Sequence, residues 1–252
     1  MGGDFIGGIL LKNLDKNRVN RDYVKIDKNS NTNIAQILVN SKGRNMIAVG
    51  PRADSKVSKK DVENSLEIIK DSDVLLTQLE IPISKVEYAL KKAKSFGVNV
   101  ILNPASATLS PKTLMKYIDI LTPNEVELET LTGLKINSLD LKEFEKVKGF
   151  NRFWVKTVIV TLGGRGALVV DEKEVYRVKG IKVHVTDTTG AWDAFNAALA
   201  VSLTEGKGIM EAVKIANFVV ALATSKVDAQ EDLSTRKAAL WLNYCCVFAL
   251  CF

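Results

Sequence analysis

A threonine-glycine turn joins a β-branched run to an apolar stretch in Val185-Thr-Asp-Thr-Thr-Gly-Ala-Trp-Asp-Ala-Phe-Asn-Ala-Ala-Leu-Ala200. Asp187, Thr188, Thr189 and Gly190 form the turn, and Asp193 falls at the mouth of the helix that should follow. The first N–H groups of a helix have no intrahelical partner and attract anions. A carboxylate beside them can take a proton from a hydroxyl. The combination suits transfer of a phosphoryl group to an alcohol, a reaction governed by positioning and electrostatics. On the residues alone, Asp193 could equally be a carboxylate favoured at a helix start by the macrodipole.

Such a turn needs a scaffold, and the rest of the chain reads as strand and helix in alternation. Short apolar strands are predicted over residues 74–79, 98–102, 118–121 and 157–161. Helical stretches separate them at about residues 84–96, from Ser110-Pro111 onward, and 126–131. This order predicts an α/β fold, a three-layer α/β/α sandwich around a mostly parallel sheet. Ligands in such folds sit at the carboxyl ends of the strands. Those ends carry Gln78 and Glu80, Asn103, Asn124 with Glu127, and Thr161 with Gly163. A helix is also expected over Phe5–Leu14, another over Lys59–Lys70 capped by Ser58, and Ser84 with Glu87 reads as a capping box. Strands over Thr32–Val39 and Asn45–Val49 meet through Asn40–Gly43, a hairpin that suits a small lid. A second hairpin is expected around Asp171–Lys173, and the last clear helices run over 193–203 and 209–224. His184, the one histidine, lies in an alternating run and reads as an exposed strand residue.

Composition narrows the function. The chain has 252 residues, 46% hydrophobic and 25% charged, enough for one substantial core. The net charge of +6 is dispersed: the densest basic stretch, Lys56–Lys60, is followed at once by Asp61 and Glu63. No stripe suits nucleic acid, and the excess suits a solvated surface with a weak bias toward small anions. The first residues lack the basic and apolar regions of a secretory leader. Cys245, Cys246 and Cys251 cluster at the end, which fits a reducing cytosol better than a disulfide framework. Residues 238–252 carry no charge and are too few to span a bilayer. That tail, set apart over 242–252, could cover a hydrophobic patch or be an ill-fitting end from a frameshift.

The segment from Asp187 to Ala200 resembles the C-terminal signature of the ribokinase-like (PfkB) carbohydrate kinases, usually Asp-Thr-Thr-Gly-Ala-Gly-Asp-Thr-Phe-Asn-Gly-Ala-Leu. Val74–Glu80, Asn103–Ala107, Leu121–Glu127 and Thr161–Gly166 resemble further segments of that family, in the family's order. The resemblance covers about residues 1–241 and implies a kinase domain of that fold, its β lid reduced to about 32–49. It implies transfer of the γ-phosphate of ATP to the 5-hydroxyl of D-ribose, with Mg2+ and K+ as cofactors; another sugar or a nucleoside is the alternative acceptor. It assigns Asp193 as catalytic base, and Gly190, Ala191 and Trp192 as the anion hole. Glu80 matches a sugar contact, and Asn124 with Glu127 an element near phosphates and magnesium. Thr161, Gly163, Gly164 and Gly166 match the nucleotide loop, Asn217 the adenine wall, and Asp187 with Thr189 the monovalent-cation site. The resemblance also implies a homodimer formed through lid strands, of which only the Thr32–Val49 part remains here.

Each assignment has a plainer reading beside it. Glu80 could face solvent, Asn124 and Glu127 could be a helix-capping pair, and the glycines could form an ordinary turn. The chain also departs from the family. Trp192 replaces a glycine whose amide must approach phosphate closely, so weakened catalysis is expected. Ala194 and Ala197 replace a hydroxyl residue and a glycine, and Asp228 falls where the cation-site segment has glycine. Gly3–Gly7 resembles a segment that the family places after its first strands, so the chain is expected to begin late. A non-catalytic nucleotide- or partner-binding paralogue is the reading from a different class.

Overall fold

The computed structural model describes residues 1–39, 45–50, 52–105, 112–136, 147, 155–225 and 247–250. The expected turn at 40–43, the Ser110-Pro111 helix start, Asp228 and the three cysteines lie outside the described residues. The described residues divide into two compact units, one within 1–67 and 80–89, the other within 68–79 and 90–250.

In the first unit, helix α1 (Phe5–Lys16) is capped by Asp4, whose carboxylate accepts from the Gly7 N–H at 2.8 Å and from the Thr32 hydroxyl at 2.7 Å. These donors pull the Asp4 pKa down to about 2. Strands β1 (Ala35–Val39) and β2 (Asn45–Val49) pair antiparallel as a two-stranded ribbon. The single helix expected over 59–70 is two: α2 (Lys59–Asn64) and α3 (Leu66–Lys70), the latter running into the second unit. Ser58 caps α2 as expected, in a box closed by Asp61. Helix α4 (Ile83–Ser95) contradicts the expected cap: Ser84 is its second residue, and the Pro82 carbonyl accepts the first bond from Lys85 at 2.7 Å.

Among the described residues, the second unit is built on one seven-stranded sheet. Strands β3 (Val74–Thr77), β4 (Asn99–Leu102), β5 (Ile120–Leu121) and β6 (Thr157–Thr161) are parallel neighbours in chain order. Short helices α5 (Lys112–Met115) and α6 (Glu125–Thr132) fall in the connections. Beyond β6 the chain reverses into antiparallel β7 (Gly166–Asp171) and β8 (Val175–Lys179), the expected second hairpin. On the other border, β9 (Val247–Leu250) from the uncharged tail lies parallel beside β3. Two long helices follow β8: α7 (Ala191–Thr204) and α8 (Ile209–Thr224).

Strand alternation explains the layering. Val74, Leu76, Ile101, Ile159, Ala167 and Val169 point to one face and pack against Phe195, Leu199, Val213 and Ala216 of α7 and α8. The opposite set, Leu75, Val100, Leu102, Val158, Val160 and Leu168, is also fully buried, so the sheet is covered on both sides. Runs that are apolar on both faces are what buried parallel strands require. His184 is exposed as expected but lies outside any strand.

The amino rim of the sheet is tied by one carboxylate. Asp119, 7% exposed, accepts from Lys94 Nζ at 2.7 and 2.9 Å and from the Val100 N–H at 2.9 Å, with Lys156 Nζ 3.0 Å away. Burial alone would raise its pKa, but the Lys94, Val100 and Lys156 donors prevail and lower it. Its stabilisation is therefore full above the ordinary value of 3.8 and fades as pH drops through the lower native value. Asp119→Ala should cost about 2–3 kcal/mol in urea melts at neutral pH, because charged hydrogen bonds are lost. The gap between variant and parent should close progressively below pH 3.8.

Candidate active site

At the carboxyl rim of the sheet, ordinary capping and turn chemistry positions the threonine-glycine turn and Asp193. Thr186 and Asp187 donate their N–H groups to the Thr224 carbonyl at 2.8 and 3.3 Å, pinning the turn to the end of α8. Asp187 Oδ1 accepts from both the N–H and hydroxyl of Thr189, at 2.9 and 2.8 Å, which lowers its pKa. Gly190 then caps α7 with φ +72°, a left-handed conformation that glycine takes without strain.

The amides of the stretch expected to form an anion hole, Gly190, Ala191 and Trp192, are not all open. The Ala191 N–H donates to the Thr188 carbonyl at 3.2 Å, and the first α7 bond runs from Ala194 N–H to Gly190 O at 2.9 Å. Helix geometry thus leaves the amides of Trp192 and Asp193 pointing out of the helix start. The Trp192 residue is 36% exposed, whereas Ala191 and Ala194 beside it are buried. Ala197 is exposed on the outer side of the helix.

Asp193 is the third residue of α7, and its Oδ1 accepts from Gln78 Nε2 at 3.2 Å. Gln78 directly follows β3, so the bond joins the helix start to a strand end. The residue reaches solvent, yet neighbouring protein crowds the carboxyl group: burial raises its pKa, with the Gln78 donor opposing. A raised carboxylate pKa is a feature of groups that exchange protons in clefts.

Buried amides and hydroxyls extend this contact. The Thr122 hydroxyl donates to Asn196 Oδ1 at 2.7 Å, and Asn196 Nδ2 donates to the Trp192 carbonyl at 2.9 Å. Asn103 Nδ2 donates to the Thr122 carbonyl at 3.3 Å, and the Asn103 N–H to the Thr77 carbonyl at 2.9 Å. Sequence reasoning missed Thr122 and Asn196. The available signal was a carboxamide in the middle of an otherwise apolar helix.

Asn124 and Thr161, which form a parallel bridge, continue the rim beyond this group. Asn124 and Glu127 form a reciprocal cap of α6: Asn124 Oδ1 accepts from Glu127 N–H at 2.8 Å, and Glu127 Oε2 from Asn124 N–H at 2.9 Å. Burial raises the Glu127 pKa, with the Asn124 N–H opposing. Thr161 is buried, and its N–H and hydroxyl both donate to the Pro123 carbonyl, at 2.9 and 3.3 Å. Gly163 and Gly164 sit in an exposed single turn where an added Cβ would meet nothing within 4 Å. Gly166 has a packing reason instead: a Cβ there would lie 2.0 Å from the Val178 carbonyl. Arg165 pairs with Glu125 across the same loops. Asn217 is buried, its Nδ2 3.5 Å from the Lys179 carbonyl. Glu80 lies exposed in the first unit.

Residues 1–236 match the pattern of the pfkB family carbohydrate kinases. The chain belongs to that family. It is a sugar kinase. The ribokinase of Haemophilus influenzae is 34% identical over 240 residues, which span 95% of this chain and 78% of that protein. A deoxyribokinase of Salmonella typhi is 29% identical, over 92% of this chain and 76% of its own. The structure of Arabidopsis thaliana ribokinase complexed with ribose and ATP superposes with a TM-score of 0.87 at 32% identity, covering 95% and 78% of the two chains. No helix among the described residues of this kinase is long and apolar enough to cross a membrane.

Replacing Gln78 by Met removes the one side-chain donor that opposes burial at Asp193. The Asp193 carboxyl carbon, followed by NMR, should titrate at higher pH in Gln78→Met than in the parent. An unchanged midpoint would mean that the contact does not tune this carboxylate.

Proposed function

We propose that this kinase transfers the γ-phosphate of ATP to the 5-hydroxyl of D-ribose. The observation that carries the reading is the Asp193 carboxyl group at a helix start whose Trp192 and Asp193 amides point outward. In this reading Asp193 accepts the hydroxyl proton as the oxygen attacks phosphorus, and those amides stabilise charge on the migrating phosphoryl oxygens. Gln78 holds the carboxylate toward the rim. Ribose and ATP are suggested by the relatives, among them the Arabidopsis thaliana ribokinase complexed with both.

The remaining roles are proposals of the same kind. Asn124, Thr161, Gly163, Gly164 and Asn217 line the nucleotide side, with Gly163 and Gly164 leaving room for a bound group. Gly166 serves that loop indirectly, by allowing β7 and β8 to approach. Glu127 has two carboxylate oxygens and its cap uses one, so the other fits a hydrated magnesium ion; magnesium would neutralise phosphate charge. Asp187, Thr189 and the carbonyls near Thr224 supply the all-oxygen surroundings a potassium ion prefers. Glu80 as a sugar contact rests on family likeness alone. A cytoplasmic location agrees with the cysteine usage, and Leu38 and Val49, exposed on the β1–β2 ribbon, suit pairing of two copies.

A second acceptor, 2-deoxyribose, is favoured by the deoxyribokinase relative. Purified protein supplied with ATP and either sugar should release ADP faster with ribose; faster release with deoxyribose would replace the first reading by the second. Asp193→Asn should lower kcat by about 10²–10⁴-fold, the usual contribution of a positioned base. Trp192→Gly should raise turnover, because the indole occupies the position where the family uses a bare amide. Equal, high turnover in parent and Trp192→Gly would remove the indole from any account of the rate.

A further inference from the structure

The buried hydrogen-bonded chain behind Asp193 contains a residue that packing does not explain, the asparagine of the Phe-Asn pair in the signature segment. Asn196 is 3% exposed, one helical turn after Trp192, among Phe195, Ala198 and Leu199. Asparagine is a poorer helix former than alanine or leucine, and a buried carboxamide must find partners. Stability alone would select an apolar residue there.

Its orientation is fixed by chemistry. The Trp192 carbonyl can only accept, so the Asn196 group 2.9 Å from it must be the NH₂. The Asn196 oxygen then takes the Thr122 hydroxyl proton at 2.7 Å, in preference to the Leu102 carbonyl at 3.4 Å from that hydroxyl. Thr122 is itself immobilised at 1% exposure, its N–H on the Leu102 carbonyl at 3.0 Å and its carbonyl held by Asn103.

The receiving carbonyl is what matters. The carbonyl of Trp192 and the N–H of Asp193 are two ends of one planar peptide unit. That carbonyl accepts the usual helical bond from the Asn196 N–H and a second from the Asn196 side chain. Two donors fix the tilt of the plane and polarise the N–H at its other end. The polarised group is one of the amides that the helix start leaves open. The same peptide unit leads into the Cα that carries the carboxylate held by Gln78.

We propose that Asn196 is a positioning residue for phosphoryl transfer: supported by Thr122, it clamps the Trp192–Asp193 peptide and so aims the Asp193 amide and carboxylate. The catalytic part of this statement rests on the kinase reading above; the clamp itself does not.

The test compares Asn196→Leu, Thr122→Val and Thr122→Ser, reading kcat, KM for sugar and the ¹H–¹⁵N resonance of the Asp193 amide. Asn196→Leu should lower kcat by about tenfold or more while KM for sugar changes by less than about threefold, since small misplacements act on the transition state. Thr122→Val keeps the shape and removes the hydroxyl; it should lower kcat in the same direction and shift the Asp193 amide upfield. Thr122→Ser, which keeps the hydroxyl, should restore both. Should Asn196→Leu fail to fold, the Thr122 pair carries the test. A folded Asn196→Leu or Thr122→Val with parental kcat and an unmoved amide resonance overturns the proposal. If the parent turns over no sugar, the kinase reading fails on its own, and the amide shift still decides whether the clamp exists.

Discussion

The helix that begins at Ala191 is apolar over most of its length, and an apolar helix can slide on a sheet at little cost. What denies α7 that freedom is directional bonding at its first turn. Asn196 and the Trp192 carbonyl link it to Thr122, Asn103 and the end of β3, while Asp193 returns to Gln78. These groups are mostly buried, so breaking one bond strands a partner away from water. Hydrophobic burial gives the second unit its cohesion; this polar seam gives it one register.

The parallel sheet is what brings the seam together. Parallel strands end on one rim, and each end contributes one polar residue: Gln78, Asn103, Thr122 and Thr161. The opposite rim carries the structural counterpart at Asp119, where a carboxylate gathers two lysines and a backbone N–H. One sheet therefore separates a rim specialised for holding itself together from one that presents groups outward.

Much of this was legible in the sequence. Four apolar runs spaced by helical stretches are enough for a covered parallel sheet, because few other arrangements bury strands on both faces. The threonine-glycine turn before an apolar helix fixed the neighbourhood of Asp193. Several things were not legible. Ser84 reads as a cap because serine followed by glutamate three residues on is a local pattern; the chain instead enters α4 through the Pro82 carbonyl. Residues 59–70 carry a continuous helical pattern, yet the backbone breaks at Ser65. Gly166 could not be separated from its loop glycines, because its reason is the Val178 carbonyl of a neighbouring strand. The commitment of the Ala191 amide to Thr188 depends on turn geometry, and the Asn196 seam depends on strands far apart in the chain.

The reversal after β6 has a practical side. Because β7 runs back from the carboxyl rim, its return turn at Asp171–Glu174 emerges beside the start of β6, a full strand length away. The turn is closed locally, Asp171 Oδ1 accepting from the N–H groups of Lys173 and Glu174 at 2.7 and 2.8 Å, and Glu172 and Lys173 are exposed. Exposed hairpin tips of this kind tolerate added sequence. A fluorescent reporter or affinity peptide grafted there would report on the protein while leaving its chemistry undisturbed.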